Sequence, residues 1–78
     1  MLSFGRGEVM VAEGDPARDL LILLAGRVRV EKRMRGREPL VLARPGAGQL
    51  IGELSILTGK PRSATVVAET PVKAWRVP

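Results

Sequence analysis

Spacing limits the fold of this chain more than any other feature. No apolar run exceeds six residues, and turn-forming residues interrupt every one. Residues 8–12 read as a strand, closed by Glu13-Gly14-Asp15-Pro16, where glycine permits positive φ and proline fixes φ. The longest run, Leu20–Ala25, suits a strand covered on both faces, and Gly26 breaks it. Residues 27–31 alternate strictly, valines to one side and charges to the other. Arg35-Gly36-Arg37 is the next tip, residues 38–43 form another strand, and Arg44-Pro45-Gly46 ends it. After Gly48 the period changes. Ile51, Leu54 and Leu57 recur every three residues, Leu50 and Ile56 widen the stripe, and Gly59 with Pro61 beyond it gives a stop. That pattern predicts one short helix. Strand character returns over residues 63–68, and after the Thr70-Pro71 turn over Val72–Val77. Many short strands with tight turns and one helical insert predict an all-β sandwich or barrel.

At 78 residues the chain is one small domain with a thin core. It has no cysteine and no histidine, which excludes disulfides, thiolate catalysis, imidazole zinc sites and any histidine base. The lack of cysteine also favours a reducing compartment, so a cytoplasmic location is expected. A helical membrane span needs about 20 apolar residues, and the N-terminus lacks a secretory apolar region. Thirteen Lys and Arg against eight Asp and Glu give a formal net charge of +5, which suggests an anionic partner. With only Phe4 and Trp75 as aromatics, a stacking platform for single-stranded nucleic acid is not available.

Several motifs fail on inspection. Gly52 and Gly59 are too far apart for a nucleotide-triphosphate loop, and Lys60 is followed by Pro61. Gly46-Ala47-Gly48 lacks the third glycine of a dinucleotide fingerprint. The serines have no histidine to activate them, and the carboxylates show no calcium-loop spacing. No catalytic residue or metal ligand is therefore assigned, and an enzyme is not expected.

One segment has a consistent chemical logic. Gly52 sits where the short helix begins, so a ligand can approach the backbone closely. A helix start offers unpartnered N–H groups to an anion. Arg62 and Ser63 lie just past the helix, adding a planar guanidinium and a hydroxyl. An inward Arg62 needs either a bound anion or an internal carboxylate, because an unpaired buried charge is costly. Glu53 in the first turn would repel bare phosphate but suits a ligand that also carries hydroxyls. The set points to a phosphorylated sugar or nucleotide.

Gly52-Glu53-Leu54-Ser55 followed by Pro61-Arg62-Ser63-Ala64-Thr65 closely resembles the phosphate-binding cassette of cyclic-nucleotide-binding domains. Such domains occur in the catabolite activator protein and the regulatory subunits of the cyclic-AMP-dependent kinase. Gly14-Asp15, Gly26-Arg27-Val28, Pro45-Gly46 and the last strand with Trp75 follow in family order, so the resemblance covers nearly the whole chain. It implies a jelly-roll barrel, a double-stranded β-helix, with the one helix inside the cassette. It implies cyclic AMP, ahead of cyclic GMP, as ligand, with no further cofactor. By position, Arg62 and Ser63 should hold the phosphate and Glu53 the ribose 2′-hydroxyl. Gly52, Leu54 and Ser55 should contribute backbone contacts.

The resemblance also implies helices before the barrel and a lid helix after it, so residues 1–78 are expected to be a domain without those flanks. The effector partner stays open, and exposed barrel ends leave homo-oligomer formation open. Two rivals remain. One is a domain that keeps the fold but has lost the ligand. The other is a binder of nucleic acid or membrane surface through the basic hairpin from Arg27 to Arg37. That hairpin reads first as a solvated face whose cations discourage edge-to-edge pairing, and direct nucleic-acid binding is not favoured. Trp75 is expected in the core, under the barrel end.

Overall fold

The structure is a computed structural model that describes residues 1–78, apart from the side chain of Leu54. Eight strands and one helix follow in the order β1 (Leu2–Phe4), β2 (Val9–Val11), β3 (Leu20–Ala25), β4 (Val28–Lys32), β5 (Leu40–Ala43), β6 (Leu50–Ile51), α1 (Glu53–Thr58), β7 (Thr65–Ala68) and β8 (Val72–Val77). They build two four-stranded antiparallel sheets, ordered β1-β8-β3-β6 and β2-β7-β4-β5. The first strand pairs with the last, Leu2 opposite Ala74, and the second with the seventh, Val9 opposite Val67. A chain folded back on itself in this nested way is a jelly roll, the expected class.

The two inner faces make the core. Leu21, Leu23, Ile51, Val72 and Ala74 come from the first sheet, and Val28, Val66 and Ala68 from the second. Full burial of a side chain such as Leu23 contributes about 2 kcal/mol.

Three expectations need correction. Leu20–Ala25 is not covered on both faces. Leu21 and Leu23 are buried, whereas Leu24 is exposed and Leu20 and Ile22 are half-buried. The strand buried at every position is β7 instead. Trp75 is 56% exposed and not core. The cause is register. Ala74 is fully buried, so its neighbour must face outward, and Trp75 stands opposite the half-buried Ile22. Finally, Leu50 and Ile51 are not part of the helix. They form a two-residue strand that pairs with Ile22 and Leu21. Helix α1 starts only at Glu53, and Leu57 on the supposed apolar stripe is 80% exposed.

Candidate functional site

The segment between β6 and β7 is shaped by two left-handed glycines. Gly52 (φ 87°) turns the chain out of β6 and caps the helix start, where no side chain takes that role. Gly59 (φ 70°) ends the helix and donates its N–H to the Ser55 carbonyl at 2.9 Å. The chain then reaches Arg62, whose backbone is fixed from both sides by the Gly14-Asp15 turn. The Arg62 N–H donates to the Asp15 carbonyl at 2.9 Å, and the Arg62 carbonyl accepts from Gly14 at 2.8 Å.

The Arg62 side chain is only 7% exposed. Its Nη1 donates to the Gly52 carbonyl at 3.2 Å. Its Nη2 donates to the Asp19 carbonyl at 2.5 Å and to Asp19 Oδ1 at 3.3 Å. Of the two partners the sequence allowed for a buried Arg62, the internal carboxylate is present: it is Asp19. This carboxylate is shared, since Arg76 Nε lies 3.5 Å from Oδ2. Asp19 thus serves two guanidinium groups, of which Arg62 is the buried one. Nε of Arg62 makes no hydrogen bond among the described residues.

Arg62 borders two cavities. One, of about 300 Å³, is also lined by Gly52, Glu53, Ser55 and Ser63, with an apolar wall that includes Val30 and Val66. The other, of about 360 Å³, holds Asp15, Asp19 and Arg76. Five of the six residues singled out from the sequence thus share one cavity. Glu53 and Ser63 are exposed at its opening, and Ser55 is buried. The side chain of Leu54, the sixth, lies outside the described residues. The arrangement suits a singly charged anion with polar groups at its anionic end and an apolar body. Among the described residues, no group of three acidic side chains could hold a metal ion, and no helix is long and apolar enough to cross a membrane.

Sequence reading did not find Asp19, which lies 43 positions from Arg62. It also did not find the brace beside Ser63. Lys32 Nζ donates to the Ser63 carbonyl at 2.7 Å and pairs with Glu13 at 3.3 Å. Glu13 Oε1 in turn accepts the Arg33 backbone N–H at 3.3 Å. That bond, ahead of the hydrogen bond and charge of Lys32, holds the Glu13 carboxyl below the usual range despite some desolvation. A carboxyl lowered by folding stabilises the native state above its unfolded pKa and loses that contribution as pH falls through its folded value. Glu13→Gln should therefore flatten the acid limb of stability against pH. Carboxyl titration by NMR should place the Glu13 midpoint below that of an unstructured glutamate.

A model of the cyclic nucleotide-binding domain family matches residues 1–78, the entire chain. The acetyltransferase Pat of Mycolicibacterium smegmatis is 41% identical over 70 residues, which is 88% of this chain and 20% of that protein. A CRP-like cAMP-activated global transcriptional regulator of Mycobacterium tuberculosis is 38% identical over 74 residues, covering 94% of this chain and 33% of the regulator. Among solved structures, the regulatory domain of Toxoplasma gondii PKA, crystallised with cAMP, superposes with a TM-score of 0.92 at 29% identity. That match covers 97% of this chain and 29% of the other. The chain spans a third or less of the length of these curated relatives.

Proposed function

The chain belongs to the cyclic nucleotide-binding domain family, and from that membership we propose that residues 1–78 sense cyclic AMP and regulate an attached output. The observation that carries the reading is the buried Arg62, anchored from behind by Asp19 and the Gly52 carbonyl while it borders the cavity that Glu53, Ser55 and Ser63 also line. In the proposed complex the cyclic phosphate lies against Arg62, with Ser63 adding its hydroxyl or amide. Glu53 accepts from the ribose 2′-hydroxyl, and the backbone of Gly52, Leu54 and Ser55 frames the ribose and phosphate. The base then extends along the apolar wall. Cyclic AMP is favoured over cyclic GMP because the similar proteins that name a nucleotide name cAMP. Residues 1–78 perform no reaction in this reading. Binding acts by favouring one of two conformations, which requires different affinity for each.

Calorimetric titration with both cyclic nucleotides tests the proposal. Saturable one-to-one binding is expected, tighter for cyclic AMP, with 5′-AMP weaker because its doubly charged open phosphate lacks the ring. No heat and no thermal shift at millimolar ligand would overturn it. The specific observation behind the rival is that Asp19 already neutralises Arg62, so a flat titration supports a domain that has kept the fold without the ligand.

A further inference from the structure

The net charge of this chain is concentrated in one place. Residues 27–44 carry seven of the thirteen Lys and Arg and two of the eight Asp and Glu, so this stretch holds the whole excess and the remainder is balanced. The stretch is the β4–β5 hairpin and its flanks. Three of the four cations nearer the barrel are neutralised, Arg27 being the exception among the described residues. Arg29 meets Glu31 at 2.8 Å, Lys32 meets Glu13 at 3.3 Å, and Arg44 meets Glu69 at 3.2 Å. Arg33, Arg35 and Arg37, at the tip, are exposed and form no ion pair among the described residues.

Apolar groups stand among these charges. Met34, between two of the arginines, is 40% exposed, and Leu40 and Leu42 on the returning strand are 52% and 54% exposed. Strand β5 is the outer strand of its sheet, so no further strand covers its free edge. A tip that served only to stay in water would have no use for an exposed methionine and two exposed leucines beside three arginines. On a nucleic-acid duplex those apolar groups would stay wet, and no aromatic side chain lies in this stretch to stack on a base. An anionic lipid surface satisfies both features at once. Headgroup phosphates take the guanidinium groups, and the boundary beneath them takes the apolar side chains.

We propose that the β4–β5 tip docks on an anionic membrane surface, with Arg33, Arg35 and Arg37 at lipid phosphates and Met34 entering the headgroup layer. Each basic residue near such a surface multiplies the partition constant by about five. The test is co-sedimentation of the chain with vesicles of roughly two parts phosphatidylcholine to one part phosphatidylglycerol. The chain should sediment with these, not with phosphatidylcholine alone, and increasingly less as salt rises. The triple variant Arg33→Glu, Arg35→Glu, Arg37→Glu should lose at least about a hundredfold in partitioning. Met34→Gln, which changes no charge, should lose several-fold while leaving the salt dependence in place. All four side chains are exposed, and thermal melts followed by circular dichroism check that the variants remain folded. Equal binding to phosphatidylcholine, or an unaffected triple variant, would overturn the proposal. So would an unaffected Met34→Gln, which reduces the contact to charge alone. Displacement from vesicles by duplex DNA at equal anionic charge would overturn it in favour of nucleic acid.

Discussion

Replacing Arg62 with alanine should weaken cyclic AMP binding by at least about a hundredfold, equivalent to about 2.7 kcal/mol. Two effects act in the same direction. The ligand phosphate loses its counter-charge in a partly enclosed site, where charge-assisted bonds are strong. Asp19, which now holds the guanidinium at 3.3 Å, loses that partner and contributes a negative field behind the site. Arg76 offsets only part of it, from 3.5 Å. The variant should also lose about 1–3 kcal/mol of stability, because half-buried acceptors on Gly52 and Asp19 lose their hydrogen bonds to the guanidinium. Arg62→Lys keeps the charge but not the planar fork that reaches two separate chain segments, so its affinity should fall between the two. Calorimetry measures the binding and a thermal melt the stability. Affinity within about threefold of the parent for Arg62→Ala would remove Arg62 from the site.

Gly52→Ala should be nearly as damaging, for a steric reason. A Cβ at residue 52 would overlap Nη1 of Arg62 and lie 3.0 Å from its Cζ. Alanine at φ 87° also costs roughly 1–2 kcal/mol of backbone strain. The guanidinium must move, and both its bond to the Gly52 carbonyl and its place at the cavity go with it. A stability loss of about 2–3 kcal/mol is expected, on the order of 10 °C in melting temperature for a domain of this size, with binding at least tenfold weaker. Gly59→Ala is the matched control. Gly59 also has positive φ, but nothing lies within 4 Å of a Cβ built there. It should show the backbone strain without the loss of ligand, and the difference between the variants isolates the contact with Arg62.

How much of this was readable beforehand follows from the length and locality of each signal. Strands β3, β4, β5, β7 and β8 each have at least four residues, enough for alternation and flanking turns to mark them. β1 and β6 have three and two, too few to show a period, and the apolar pair in β6 was absorbed into a helix it does not join. Gly52 marks the boundary the stripe ran across, because a left-handed glycine between an apolar pair and an apolar helix separates the two. The position of Trp75 was a question of phase, and only pairing with β3 sets which residues of β8 face inward. The candidate site was legible because Gly52, Glu53, Ser55, Arg62 and Ser63 are near one another in sequence. Asp19 was not, because its relation to Arg62 exists only once β3 and the cassette have come together in space.

The nesting of the strands bears on how the molecule is made. Leu2 meets Ala74 and Val9 meets Val67, so the outermost pairings join strands far apart along the chain. During synthesis, neither sheet is complete until β7 and β8 have left the ribosome, and earlier strands wait with open edges. Folds dominated by such distant pairings acquire their structure in milliseconds to seconds, not microseconds. During that wait the newborn polypeptide is at its most vulnerable to clumping.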